Sequence, residues 1–262
     1  MFPPRRNRRF LPKTPKRPNP ILSWHARDLP RREIRAVGRT ASLPFGMTAP
    51  PHVDTGPADQ PFDFCAAVHD LCATISKQSE SFRHIDVSRM LFAVSQARNG
   101  RVHGLQARVT PMRFAGGKLT NRLHGTEYLV QRFRYEGREI LYVMTFCLPR
   151  FLNQDFDEKV VTLFHELYHI SPSFDGDLRR HGGRYQVHTH SQKHYDDHMS
   201  HFARDYLRSA TDPNAHAFLR LNFAQLRHRH GSIIGVTLPR PKLIPVVRAT
   251  EGIEFKESTE RV

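Results

Sequence analysis

The chain has 262 residues, 39% of them hydrophobic, enough for one sizeable core and a tail. Its formal net charge of +15 favours anionic partners such as nucleic acid and says nothing about fold. Three cysteines (Cys65, Cys72 and Cys147) exclude a disulfide framework, and no apolar run approaches the ~18 residues of a membrane span.

All three cysteines lie among apolar residues and are expected as buried thiols in a reducing, cytoplasmic setting. A double arginine near the start has no apolar stretch behind it, so export is not expected, and no membrane partner is.

Residues 1–60 hold eleven prolines, and residues 1–40 hold twelve arginines and lysines against two acidic residues. Such a segment, with no sustained apolar period, is expected as a disordered basic arm able to tether nucleic acid through its phosphates. The folded domain is expected over 61–245 and a flexible tail over 246–262.

From Pro61 onward the pattern changes. Phe64, Val68, Leu71, Cys72 and Ile75 recur at helical spacing. Met90 to Arg98 reads as a strand before Asn99-Gly100, and Leu105, Ala107 and Val109 alternate as a second. Two longer alternating runs flank Glu136-Gly137 and predict a β-hairpin ended by Pro149. A helix is expected from Gln154–Asp157 to Ile170, with acidic residues in its first turn and Pro172 as its stop. Helices follow over about 193–207 and 215–226, and the "LPRPKLIPVV" stretch is extended. Clustered strands joined by short turns, with helices before and after, predict an α+β domain with a three- to four-stranded mixed or antiparallel sheet.

The predicted helix ending near Ile170 carries "HELYH". His165 and His169, four residues apart, project from one helix face one turn apart, as two zinc ligands require. Glu166 stands about 100° round the helix, placed to act as a base without ligating the metal. In a chain with 17 histidines the five-residue pattern arises by chance about 0.05 times, so its place on an amphipathic helix behind strands is what gives it weight. A catalytic zinc needs a third protein ligand. Downstream stand His181, His188, His190, His194, His198 and His201; His190 is favoured because it precedes a helix able to return over the first. His188 and His194 are the alternatives. Asp175, Asp177, Asp196 and Asp197 are candidate acceptors for the ligands' other N–H groups.

The block "FHELYHISPSFDGDLRR", the Gly183-Arg184 pair, and the His-Ser-x-Lys-x-Tyr-Asp run from His190 to Asp196 resemble a metallopeptidase family of bacteria and phages, of zincin type. The resemblance covers about 61–205. It implies a minimal zincin fold with an N-terminal helix, His165 and His169 as zinc ligands, and Glu166 as general base. In the related SprT-like and YgjP-like metallopeptidases a third histidine shortly precedes an aromatic at the start of the next helix. That pattern implies His190, ahead of His194-Tyr195, with extra histidines crowding the position.

The expectation is a zinc-dependent peptidase acting on a protein or peptide, with Tyr168, Tyr185 or Tyr195 as possible oxyanion donors. The competing expectation is a basic nucleic-acid-binding protein with structural zinc or none, or a protease localised on DNA by its arm. An activated water also serves a hydrolase of a non-peptide substrate.

Overall fold

The structure, a computed structural model, describes residues 18–38, 53–58, 60–101, 103–180, 192–210 and 212–246, with the backbone alone over 192–197. Its centre is a three-stranded sheet built from β4 (Met90–Gln96), β5 (Ala107–Pro111) and β10 (Tyr142–Leu148), in the order β4-β10-β5. β10 runs parallel to β4 and antiparallel to β5. β4 and β10 are apolar on both faces because both faces are covered. On one side Phe92, Val94, Met144 and Phe146 meet α1 (Phe64–Gln78) and α2 (Phe156–Tyr168), through Phe64, Val68, Leu71 and Ile75 of α1 and Val160, Leu163, Phe164 and Leu167 of α2. On the other side Leu91, Ala93 and Val143 meet Phe133 and Ile140, which belong to β8 (Arg132–Tyr135) and β9 (Arg138–Ile140).

The rest of the chain wraps this centre with three more small sheets, giving an α+β architecture. β2 (Arg31–Glu33), β3 (Phe62–Asp63) and β11 (Ile233–Val236) form one, with β11 in the middle. Gly235 lies so close to β4 that a Cβ there would meet Val94 Cγ2 at 2.6 Å. β6 (Thr120–Leu123), β7 (Thr126–Val130) and β12 (Leu243–Pro245) form another, and β1 (Ile21–Trp24) extends the β8–β9 hairpin. α3 (Gln192–Ser209) packs along α2, and α4 (Phe223–His230) follows a 3₁₀ segment, Pro213–Arg220. Among the described residues no helix is long and apolar enough to cross a membrane.

Four expectations change. Structure begins well before Pro61: β1 pairs in parallel with β8, β2 pairs with β11, and Leu29, Ile34 and Val53 are buried. The segment has too little apolar area to fold alone, but strand edges elsewhere in the domain complete its backbone hydrogen bonds, as when Pro20 accepts from Arg132 and Pro30 from Thr237. Residues 1–17 of the expected arm lie outside the described residues, as does the tail beyond Val246.

The hairpin turn at Glu136-Gly137 is present, with φ of 48° and 76°, but the long hairpin is not. Its strands part at Gln131 and Leu141, where β7 joins β6 and β12, and β10 joins β4 and β5. The second helix ends at Tyr168 rather than Ile170, because Ile170 turns to bridge Leu178. The helix expected over 215–226 is two elements, since Asn222 caps a new helix, its side chain taking the Gln225 N–H while Gln225 takes its own.

Candidate metal centre

Local sequence makes α2 a well-founded helix. Asp155 caps it in a reciprocal box with Glu158, and Asp157 and Glu158 lie in the first turn, favourable to the dipole. The Val160, Leu163, Phe164, Leu167 stripe fixes its rotation on the core. At its far end that rotation brings His165 and His169 together.

The two Nε2 atoms stand 2.9 Å apart, with ring planes 81° to each other. His169 caps the helix yet keeps helical dihedrals (φ −67°, ψ −16°), so the one-turn spacing survives the helix end. Two nitrogens bound tetrahedrally to one zinc at 2.0–2.1 Å lie about 3.3 Å apart. The pair thus fits a zinc ion with a shift of a few tenths of an ångström. Among the described residues no group of three or more His, Cys, Asp and Glu gathers to hold a metal, so the pair supplies two donors there.

Glu166 is 8% exposed, and its Oε2 accepts the Val109 N–H of β5 at 2.7 Å. Burial pushes its carboxyl up to about 7, against the lowering pulls of that hydrogen bond and of Arg108. This is the range in which a carboxylate takes and returns a proton near neutral pH. The other oxygen, Oε1, makes no hydrogen bond among the described residues.

The chain leaving the helix is tied down at several points. Arg179 donates its backbone N–H to His169 O and its Nε to Tyr168 O, both at 2.7 Å, and stacks its guanidinium 4.1 Å from the Tyr168 ring centre. The Tyr142 hydroxyl, buried under the loop, accepts the Gly176 N–H at 3.0 Å and donates to Asp177 O at 2.8 Å. Burial holds that phenol up at about 12, so it stays a donor. The Asp177 carboxylate receives Arg180 through two bonds and the Gly116 N–H, and Asp175 receives the Asp177 N–H. These two aspartates brace the loop.

α3 runs antiparallel to α2. Tyr206 packs on Phe164 with centroids 5.8 Å apart, and His198 packs on Tyr168 at 5.5 Å. The N-terminal end of α3 therefore returns to the His165–His169 end of α2. His188, His190 and Tyr185 lie outside the described residues, as do the side chains of His194, Tyr195, Asp196 and Asp197. Tyr168 stands under Arg179 and against Phe202 as an aromatic support.

The structure thus brings together His165, His169 and Glu166, as the spacing predicts. It adds Val109, Arg108, Tyr142 and Arg179. Val109 acts through a main-chain N–H, which no residue type announces; Tyr142 acts across a long sequence separation, and Arg179 returns to the helix end only once the 171–178 loop has folded. Comparison of the chain with family models, with curated proteins and with solved structures finds no match.

Proposed function

We propose that this chain is a zinc-dependent peptidase, in which His165 and His169 hold the metal and Glu166 is the general base. The observation that carries it is the pair of Nε2 atoms 2.9 Å apart beside the buried Glu166, whose Oε2 is held by the Val109 N–H. His190, two residues ahead of α3, supplies the third nitrogen, with His188 and His194 as alternatives. The antiparallel return of α3 supports a ligand from this stretch.

When bound, zinc supplies Lewis acidity toward water and the scissile carbonyl. Glu166 does the proton work. The Val109 N–H holds Oε2, which leaves Oε1 to take a proton from the attacking water and pass it to the leaving amine. The brace on Tyr168 and His169 fixes the second imidazole.

The test is elemental analysis of the purified full chain beside His165→Ala and His169→Ala. About one zinc per chain, lost in both variants, is expected. A metal-free parent that takes up no added zinc rules out the proposal.

A further inference from the structure

Glu139 on β9 gathers more positive charge than it neutralises. Its Oε1 accepts Arg132 Nε at 2.6 Å, and its Oε2 lies 2.7 Å from Arg113 Nη2. A third arginine, Arg89 at the end of the 3₁₀ turn Val87–Arg89, donates its Nε to the Glu139 carbonyl at 3.3 Å. Three positive charges thus meet one negative charge, a net of +2. Among the described residues no second carboxylate pairs with Arg113 or Arg132. Burial pulls the Arg113 guanidinium down, Glu139 pulls it up, and the charges of Arg132 and Arg89 pull it down again, so the three cations crowd one another.

The cluster is ordered and faces outward. Phe133 and Ile140 turn toward the central sheet, so their neighbours Arg132 and Glu139 face away from it. Side-chain exposure is 11% for Arg113, 19% for Glu139 and 31% for Arg132, low enough that the two forks are held rather than waving in solvent. Arg134, opposite Glu139 in the β8–β9 register, is exposed on the same face and adds a cation at the rim. Most of the donors are unused. Arg113 and Arg132 each give one nitrogen to Glu139, and Arg89 gives one to a carbonyl; their other nitrogens make no hydrogen bond among the described residues.

An anion that answers this arrangement needs acceptor oxygens pointing several ways and close to two negative charges. A carboxylate offers two oxygens in one plane and one charge. A phosphate monoester offers three oxygens and a charge of about −1.5 to −2. We infer that Arg89, Arg113 and Arg132, held in place by Glu139, form a binding site for a phosphate dianion, either free phosphate or a phosphate monoester. The site shares no residue with the metal centre and does not depend on the peptidase reading.

Isothermal titration calorimetry of the full chain tests it, with inorganic phosphate, phenyl phosphate and dimethyl phosphate as ligands. Salt at about 0.15 M screens long-range attraction by the basic surface. The parent is expected to bind one phosphate dianion per chain, and dimethyl phosphate, a monoanion, at least about tenfold more weakly. Arg132→Gln and Arg89→Gln are each expected to weaken phosphate about tenfold or more. Arg89→Gln leaves both ion pairs of Glu139 intact, so it serves as the test if Arg132→Gln folds poorly. Arg204→Gln is the control for net charge and is expected to bind as the parent does. Arg204 is exposed on α3, which packs on α2, across the central sheet from β8 and β9.

Phenyl phosphate separates the two sources. Binding as tight as inorganic phosphate assigns the site to phosphorylated molecules, and its exclusion assigns the site to the free ion. No binding in the parent overturns the inference, as does equal weakening in Arg204→Gln. Phosphate binding unchanged in Arg89→Gln and Arg132→Gln places the anion elsewhere, at zinc or on the general basic surface, and also overturns it. So does dimethyl phosphate binding as tightly as phosphate. Oligothymidylate binding that is lost in Arg89→Gln and Arg132→Gln, with no phosphate binding in the parent, replaces the dianion by a nucleic-acid backbone.

Discussion

Replacing Tyr142 by Phe deletes one oxygen and nothing else of the packing. That oxygen accepts from Gly176 N–H at 3.0 Å and donates to Asp177 O at 2.8 Å, in a side chain with no measurable exposure. The substitution leaves a buried donor and a buried acceptor without partners, each costing about 1–3 kcal/mol. Some relief comes from the loop shifting toward solvent, so the expected loss is about 2–4 kcal/mol. The cost falls on the 171–178 loop, whose far end holds His169 through Arg179. Zinc affinity is therefore expected to drop together with stability, by about tenfold or more, as for other groups that orient ligands. Urea unfolding gives the first quantity and competition with a chromophoric chelator the second. Tyr128→Phe, whose hydroxyl makes no hydrogen bond among the described residues, is the control. A loss under about 0.5 kcal/mol in Tyr142→Phe, with zinc affinity unchanged, refutes the bracing role.

Two further outcomes follow from the fold. Lys159 on α2 is buried, donates to the carbonyls of Leu219 and Leu221 at 2.9 Å each, and is pushed by burial down to about 8 despite the raising charge of Asp155. Between pH 8 and its unfolded value of about 10.5, the unfolded chain binds more protons, so this group's contribution to stability rises with pH. The stability difference between Lys159→Met and the parent is expected to move in the parent's favour by about 3 kcal/mol from pH ~7 to ~10.5, measured by urea unfolding; a flat difference contradicts the burial cost. Truncation supplies the other. Removing residues 1–38 strips β1, β2 and the buried Leu29 and Ile34, and is expected to lower the melting temperature sharply or prevent folding. An unchanged melting temperature contradicts the docking of residues 18–38.

The sequence was most legible where a period repeats. The stripe from Val160 to Leu167 and the His165–His169 spacing fix a helix, its buried face and the approach of two imidazoles. The Glu136-Gly137 turn is equally plain, because few residue pairs suit two positive φ values. Pairing between distant segments was not legible. Nothing in the composition of residues 18–38 marks Leu22 as opposite Phe133, or Arg32 as opposite Gly235. A proline- and arginine-rich stretch lacks its own core, and its order comes from distant partners: its strands pair with segments more than a hundred residues away, and Arg31 and Arg35 bond to Asp63 and Gln96. The same holds at the site: the histidines show in the sequence, while the Val109 N–H and the Tyr142 brace exist only once the sheet is assembled.

The most direct measurement is hydrolysis of a loosely folded acidic protein such as casein by the zinc-loaded full chain, beside Glu166→Gln with its zinc content checked. The account predicts that Glu166→Gln keeps about one zinc and loses hydrolysis by about 10²–10⁴-fold. Full activity in Glu166→Gln with zinc retained would contradict it.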